Sequence, residues 1–151
     1  FNDRLDAALR NARRQNSTLA LLFLDINDFK GINDVHGHAA GDRVLCAIAR
    51  RLEGCVRDTD TVARMGGDEF TVLLTDLHSE EAVAEKVQQI LAIMAEPLGP
   101  EFGPVTMPSC SIGVARYPAD GDNADTLLSH ADGDMYRLKK LHRAAAKRAI
   151  C

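Results

Sequence analysis

The chain of 151 residues has no tryptophan, few aromatic side chains (5%) and no excess of basic residues. Its 18 lysines and arginines are outnumbered by 22 aspartates and glutamates, which gives a formal net charge of −4. A nucleic-acid or anionic-membrane binder normally shows a basic excess, so neither partner is expected. The longest apolar runs have six residues, as at 19–24, whereas a bilayer-spanning helix needs roughly 20. Residues 1–10 mix charges with leucine and alanine and do not resemble a signal peptide.

Cysteine is scarce, and its spacing does not suggest a structural role. The four cysteines, at Cys46, Cys55, Cys110 and Cys151, form no C-x-x-C pair. We interpret them as reduced thiols of a cytoplasmic domain, with disulfide bonding as the less favoured alternative. His36 and His38 lack a third ligand at suitable spacing, so zinc is not expected.

The hydrophobic pattern predicts helices that alternate with short strands. Helical spacing of apolar residues occurs at about 5–12, 39–56, 83–94 and 128–138, with Ser79 as an N-cap for the third helix and Met135 and Tyr136 in the core. Apolar or β-branched runs predict strands at 19–24, 61–63, 70–74 and 111–115, and loop signals fall at 37–41, 65–68, 97–108 and 117–123. With no repeat or linker, residues 1–151 are expected to form one α/β (α+β) domain around one sheet.

A predicted hairpin carries two adjacent acidic residues. Gly66 and Gly67 separate two β-prone runs, which is typical of a tight two-residue turn. Asp68 and Glu69 follow directly, in front of Phe70. Adjacent carboxylates at a rigid turn repel each other unless water or a cation lies between them. From this pattern alone, a solvated acidic turn and a cation site are equally good interpretations.

Asp25 supplies a third carboxylate at the end of the predicted buried strand. Ligands of open α/β sheets collect outside such strand ends. Mg²⁺ takes one or two protein carboxylates, retains water molecules and binds phosphate oxygens with its other positions. The backbone N–H groups of 26–30, which lead into a predicted short helix at 29–35, are placed to cradle phosphates. Together these features predict a magnesium–phosphate site.

At this point several motifs agree with one family. The motifs are 25–34 (DINDFKGIND), 37–42 (GHAAGD), 63–70 (ARMGGDEF) and 111–115 (SIGVA). In order and spacing, over residues 1–143, the chain resembles a GGDEF domain of the bacterial diguanylate cyclase family. The resemblance implies a central mixed, largely antiparallel five-stranded sheet surrounded by helices, similar to the palm of class III nucleotidyl cyclases and polymerases.

The resemblance also implies a role for each site residue. Asp25, the carbonyl of Ile26, Asp68 and Glu69 would be the ligands of two Mg²⁺ ions, with Mn²⁺ as a plausible substitute. Glu69 would be the catalytic residue, through a metal contact or through activation of the attacking hydroxyl.

Other matched positions would bind the substrate GTP. Asn33 and Asp42 would recognise guanine, although loop capping is the ordinary interpretation of either residue alone. The triphosphate would be bound by residues at the start of the short helix and by two basic residues near the end of the chain, namely Asp28, Phe29, Lys30, Lys139 and Arg143. The family usually has Gly-Arg-Asn where this chain has His142-Arg143-Ala144, which weakens the assignment of Arg143. A solvated basic helix end is the alternative for Lys139 and Arg143.

A second site is implied by Arg57 and Asp60, which form an R-x-x-D pattern ending five residues before Gly66. In the family this is the inhibitory site for the product, cyclic di-GMP. A guanidinium group and a carboxylate suit the phosphate and the guanine of that product.

The predicted reaction is therefore condensation of two GTP molecules into cyclic di-GMP and pyrophosphate in a homodimer, with product inhibition. The alternative is a weakly active or inactive module that binds GTP or cyclic di-GMP and regulates an attached EAL phosphodiesterase domain. Residues 117–122 (YPADGD) resemble such composite proteins. The family stretch that normally precedes Phe1 is missing, so we expect a larger parent protein with a sensor or EAL domain, and its membrane attachment stays open.

Overall fold

The computed structural model of the protein describes residues 1–77, 79–102 and 109–149, and the side chains of all of these except 101, 143 and 145–149. The described residues form five α-helices, four β-strands and one 3₁₀ turn. The helices are α1 (Asn2–Gln15), α2 (Phe29–His36), α3 (His38–Cys55), α4 (Glu80–Met94) and α5 (Ala124–Ala149). The strands are β1 (Thr18–Ile26), β2 (Thr61–Gly66), β3 (Glu69–Leu77) and β4 (Cys110–Tyr117), and the 3₁₀ turn is Pro100–Phe102.

The four strands form one sheet in the order β2-β3-β1-β4, and all three pairings are antiparallel. β1 is a central strand, because it pairs with β3 on one side and β4 on the other. Every residue after Thr18 is buried, as expected of a nearly continuous apolar strand that is covered on both faces. The α/β class with one sheet is confirmed. The fifth strand and the mixed character implied by the family resemblance are not confirmed within the described part of the chain.

Alternate side chains of β1 point to opposite faces of the sheet and belong to two apolar clusters. Leu22 and Leu24 pack in the cluster that contains α3 and α4 residues. Leu21 and Phe23 pack in the cluster that contains α1 and α5 residues. Asp25 is in phase with Leu21 and Phe23, and its side chain therefore points to the face that α5 covers.

Helix α5 lies unusually close to the sheet at Gly113 of β4. A Cβ atom at this position would overlap the carbonyl of Ala131 and the amide of Met135. The glycine therefore permits a close approach that any other residue would prevent. This contact fixes the depth at which the rest of α5, including Lys139, passes over the end of β1.

Most predicted elements are found, with several corrections. Ser79 caps α4 as expected, with its Oγ accepting from Ala82 N at 3.2 Å. The loop predicted at 37–41 is wrong beyond Gly37, because α3 begins at His38; a positive φ of 82° at Gly37 provides the whole bend between α2 and α3. Tyr136 is also wrong as a core residue, since it is 53% exposed and its ring lies under the Lys140 ammonium.

Other sequence expectations are resolved only in part. Of the predicted excursion at 97–108, the segment up to Phe102 is described, and 103–108 lie outside the described residues. Cys46, Cys55 and Cys110 are free thiols, and Cys151 lies outside the described residues. In the part of the chain that the structure describes, every helix is too short or too polar to traverse a lipid bilayer.

Candidate active site

Asp25 is the next-to-last residue of β1 and pairs with a residue on each neighbouring strand. Its Cα partner on β3 is Glu69, and its partner on β4 is Ser111. The strand end is held on both sides by backbone hydrogen bonds, from Ile26 N to Asp68 O (3.2 Å) and from Asn27 N to Ser109 O (2.8 Å). The structure therefore brings Asp25 opposite Glu69 and beside the backbone of Asp68, although Asp25 lies more than 40 residues from this acidic pair in the sequence.

The turn that carries the acidic pair lies one residue later than predicted. β2 includes Gly66, which pairs with Glu69, so the two turn residues are Gly67 and Asp68 and not Gly66 and Gly67. An irregularity in register between Arg64 and Gly66 absorbs the shift, and Gly67 has a left-handed φ of 52°. Arg64 Nε donates to Gly67 O at 2.9 Å and ties the turn to its own strand.

Lys139 of α5 enters the acidic cluster. Its ammonium Nζ is hydrogen bonded to Asp25 Oδ1, and the two side chains are only 16% and 7% exposed. Lys139, which the family resemblance assigns to phosphate binding, thus contacts Asp25, which the resemblance assigns to metal binding. Lys139 and Asp25 thus form a largely buried ion pair.

Burial raises the pKa of the Glu69 carboxyl, and the negative charges of Asp25, Asp68 and Asp132 raise it further, while Lys139 lowers it. The buried thiol of Cys110, which pairs with Ile26, has a pKa raised to about 12 by burial and by the charge of Asp25. Both shifts have the direction expected where negative charges lie close together, and such an environment favours cations.

The turn between β1 and α2 is organised by polar side chains. Asn27 Nδ2 donates to Ser109 Oγ at 3.1 Å, and Asn27 Oδ1 accepts from the Ser111 hydroxyl at 2.9 Å. Asp28 has a left-handed φ of 54° and directs the chain into α2, with its carboxylate lying over Gly31. Phe29 is the first residue of α2, followed by the exposed Lys30, so the backbone N–H groups of these residues lie at a helix start.

The two candidate guanine residues occupy different environments. Asn33 Oδ1 is buried beside the Cα of Gly41 and has no hydrogen-bond partner among the described residues. Asp42 is exposed and lines a cavity of about 430 Å³ whose wall includes Arg64 and Phe70 of the hairpin. The structure therefore places Asp42 beside the hairpin, and leaves in Asn33 a buried acceptor without a described donor.

Arg143 lies in α5, one turn beyond Lys139, but its side chain is outside the described residues. The other phosphate assignments concern the start of α2 and Lys139, which approach the end of β1 from different sides.

The R-x-x-D motif lies at the opposite end of β2 from the acidic turn. Asp60 is largely committed to the fold, because Oδ2 accepts from Arg57 N at 3.0 Å and Oδ1 accepts from Thr75 N at 3.1 Å. The side chain of Arg57 is exposed beside a groove of about 390 Å³, whose lining also includes Arg4 and Phe1. Asp60 thus shapes the turn that presents Arg57.

Sequence reasoning missed three residues that shape the site. Asp132 adds a negative charge from α5, Arg64 holds the acidic turn, and Ser111 orients Asn27. No sequence pattern identifies Asp132, because its position depends on how α5 crosses the sheet. Arg64 and Ser111 both lie inside the family motifs at 63–70 and 111–115, and this position in the sequence could have marked them as candidate site residues.

Asp25, Asp68 and Glu69 fit a Mg²⁺ ion that arrives with a nucleotide better than one bound by protein ligands alone. Across the described ranges, no three His, Cys, Asp or Glu side chains are close enough to hold a metal by themselves. This agrees with the chemistry of Mg²⁺, which binds through one or two carboxylates plus substrate phosphates. The contact of Lys139 Nζ with Asp25 Oδ1 shows that this carboxylate accepts a cationic partner.

The described residues thus form an α/β domain in which a hairpin carrying Asp68 and Glu69 lies beside a strand-end aspartate. Residues 1–145 match the family described as "Diguanylate cyclase, GGDEF domain". The chain therefore belongs to the GGDEF-domain family.

Its relatives include enzymes with one and with two activities. The chain is 44% identical to diguanylate cyclase TpbB of Pseudomonas aeruginosa over 149 residues, which cover 99% of the chain and 34% of TpbB. It is 38% identical over 139 residues to MucR of the same organism, a bifunctional diguanylate cyclase/cyclic di-GMP phosphodiesterase, covering 92% of the chain and 20% of MucR. The chain thus spans about a third or less of the length of these relatives.

Solved structures share the fold. The crystal structure of the GGDEF domain of TpbB matches with a TM-score of 0.88 and 44% identity, covering 93% of this chain and 88% of that one. The GGDEF domain of DgcB from Caulobacter crescentus, solved in complex with c-di-GMP, matches with a TM-score of 0.81 and 28% identity, covering 93% and 82%.

Proposed function

We propose that this domain is a diguanylate cyclase that condenses two GTP molecules into cyclic di-GMP with release of pyrophosphate. The observation that carries the proposal is the pairing of Asp25 with Glu69 across β1 and β3, with Asp68 in the adjacent turn. The relatives named diguanylate cyclase support the same reaction. In it, the 3′-hydroxyl of one GTP loses its proton and attacks the α-phosphorus of the other, and the bond to the β-phosphate breaks to release pyrophosphate. The reverse attack closes the ring in the same way and releases a second pyrophosphate.

Asp25, Asp68 and the carbonyl of Ile26 would hold Mg²⁺ or Mn²⁺, with Glu69 at a second ion. When bound, the metal supplies neutralisation of phosphate charge during nucleotidyl transfer. The protein's own contribution is position. Glu69 is held in the ladder opposite Asp25, close to where the attacking hydroxyl would approach, and its charge matters most in the transition state.

Substrate recognition is assigned to the remaining residues. Asn33 and Asp42 would accept from the N–H groups of guanine, and adenine lacks that donor pattern. The backbone at Asp28, Phe29 and Lys30 would bind phosphate at the start of α2, and Lys139 and Arg143 would bind it from α5. Because one domain provides one GTP site, two domains must meet with two-fold symmetry to react.

The test is product formation by the purified domain with GTP and Mg²⁺, followed by chromatography. Glu69→Gln should abolish cyclic di-GMP while GTP affinity changes little, because the lost charge acts mainly in the transition state. Glu81→Gln, at an exposed site on α4, is the matched control and should keep wild-type output. Wild-type output from Glu69→Gln would disprove the catalytic assignment.

A regulatory module is the second candidate, because MucR combines cyclase and phosphodiesterase activities in one protein. The same assay separates the two candidates. A domain that binds GTP with Mg²⁺ but forms no cyclic di-GMP at any protein concentration would favour the regulatory module attached to an EAL domain.

The groove beside Arg57 is proposed as the inhibitory site for cyclic di-GMP. Arg57→Ala should abolish product binding in calorimetry and leave initial turnover near wild type, since Arg57 is far along β2 from Glu69. Arg57 is the cleaner variant to test because Asp60 also holds the turn through Thr75 N. Equal binding by wild type and Arg57→Ala would remove the regulatory assignment.

A further inference from the structure

The ion pair between Lys139 and Asp25 occupies the place where the proposed metal must bind. Lys139 Nζ contacts Asp25 Oδ1, and both side chains are mostly buried. The same ammonium also acts on Glu69, which Asp25, Asp68 and Asp132 surround with negative charge. One lysine side chain thus provides counter-charge to a cluster of carboxylates drawn from three elements.

A buried carboxylate needs a counter-charge, and removing one member of a buried pair leaves the other poorly solvated and uncompensated. A divalent cation bound to Asp25 would supply that charge in place of the lysine. An ammonium and a metal ion on the same carboxylate oxygen would repel each other. Metal binding to Asp25 therefore favours departure of the lysine ammonium from Oδ1.

Movement of the lysine does not require movement of the helix. Close packing of α5 on Gly113 fixes the backbone near Ala131 and Met135, about two turns and one turn before Lys139. The four-carbon side chain of lysine can still rotate and place its ammonium on a nearby anion. A triphosphate bound at the same site offers that anion.

We propose that Lys139 is the counter-ion of Asp25 before metal binds, and that metal binding transfers its ammonium from Asp25 to the triphosphate. This inference rests on the proposed function and adds a coupling to it. A metal ion that binds without nucleotide separates Lys139 from Asp25 and leaves the ammonium without a new anion. A metal ion that binds with nucleotide provides the triphosphate as that anion. Each ligand therefore favours the other, and the coupling is reciprocal.

The test measures Mn²⁺ binding without nucleotide, by electron paramagnetic resonance of free Mn²⁺, in wild type and Lys139→Met. Methionine keeps the unbranched shape and removes the charge. We expect Mn²⁺ alone to bind about tenfold more tightly to Lys139→Met. We expect GTP in the presence of Mg²⁺ to bind about tenfold more weakly to the same variant. A lysine whose ammonium stands away from the carboxylates would leave the first measurement nearly unchanged.

Lys140→Met is the matched control, because Lys140 lies over the Tyr136 ring on the exposed side of α5; both affinities should equal those of wild type. If Lys139→Met does not fold, Lys139→Gln removes the same charge and takes its place. Unchanged or weaker Mn²⁺ binding in the folded variant overturns the inference. Because this measurement needs no turnover, a domain that makes no cyclic di-GMP but shows the Mn²⁺ effect contradicts the proposed function and not the ion-pair exchange.

Discussion

At the scale of single residues, the close approach of Gly41 and Asn33 couples the packing of α3 to the proposed guanine ligand. A Cβ at Gly41 would overlap Asn33 Oδ1 and crowd the Phe29 ring. In a helix, Gly→Ala is otherwise stabilising by about 0.4–1 kcal/mol. The overlap with Asn33 lowers the stability of Gly41→Ala, whereas the reduced entropy of its unfolded chain raises it. For GTP binding only the overlap matters, because it displaces Asn33.

We therefore expect Gly41→Ala to fold with a free energy of unfolding within about 1 kcal/mol of wild type, and to bind GTP at least tenfold more weakly because Asn33 is displaced. Urea unfolding and calorimetry with GTP and Mg²⁺ measure the two quantities. Gly54→Ala, where a Cβ meets open space, is the control. Unaltered GTP affinity in Gly41→Ala would argue against Asn33 as a guanine ligand.

Asp120 is a residue whose charge state matters for stability. Burial alone would raise the pKa of its carboxyl, but hydrogen bonds from the backbone N–H (2.8 Å) and the Nε (3.2 Å) of Arg116 hold the pKa below its ordinary value of 3.8. Arg116 also pairs with Glu80 at 3.0 Å, so the carboxylate links the loop after β4 to an ionic network.

Because the pKa of Asp120 is lower in the folded protein, its contribution to stability is present above pH 3.8 and is lost as the pH falls through the folded value. Asp120→Asn should therefore be less stable than wild type at pH 7, and the difference should shrink below about pH 3.8. Unfolding curves at several pH values test this, with the exposed Asp6→Asn as control. A difference that does not narrow in acid would contradict it.

At the scale of elements, α3 and α4 stabilise each other's C-terminal ends. Arg51 of α3 donates to the carbonyls of Ile93 (3.0 Å), Glu96 (2.8 Å) and Pro97 (2.7 Å). Lys86 of α4 donates in return to the carbonyl of Cys55 at 2.5 Å. Cations at these ends satisfy carbonyls that lack helical partners and interact favourably with the helix dipole.

Arg51→Ala should lower the free energy of unfolding by about 2 kcal/mol, since a charged donor to three carbonyls is lost. Arg51→Lys should recover only part of this, because an ammonium cannot reproduce the planar fork of the guanidinium. Chemical denaturation gives both values. Equal stability of the lysine and arginine forms would mean that charge alone, and not the three hydrogen bonds, holds the end of α4.

At the scale of the whole molecule, the two proposed sites lie at opposite ends of β2. Six residues of strand separate the turn at Asp60 from the turn at Gly67, a distance of about 20 Å. The proposed active site is complete only when a second domain brings its own GTP, so turnover should depend on association.

Specific activity should therefore rise with domain concentration, because two domains must meet for each product formed. Initial rates of cyclic di-GMP formation over a hundredfold range of concentration measure this, and fusion to a dimeric coiled coil should raise activity at the dilute end. Fused Glu69→Gln should stay inactive. Constant specific activity across the range, without the fusion, would show that association is not limiting.

The fold could be predicted from the sequence wherever the signal was local. The continuous apolar run of β1, the Ser79 cap and the helical spacing in α1, α3 and α4 each depend on neighbours in the chain, and all three are present. The acidic turn was predicted one residue early, because the irregularity in β2 depends on pairing with β3. Tyr136 was misplaced because helical spacing does not show which face of α5 meets the sheet.

The sequence by itself determined the motif residues of the candidate site, because Asp25, Asp68 and Glu69 occur in recognisable local contexts. Only the tertiary structure decided that Glu69 pairs with Asp25, that Asp132 adds its charge, and that Lys139 contacts a carboxylate. The register of β1 on its neighbours arises from contacts between residues more than 40 positions apart, and the crossing of α5 from contacts about 20 positions apart, as between Gly113 and Ala131. Such contacts are selected by packing of the whole core, and no local pattern encodes them.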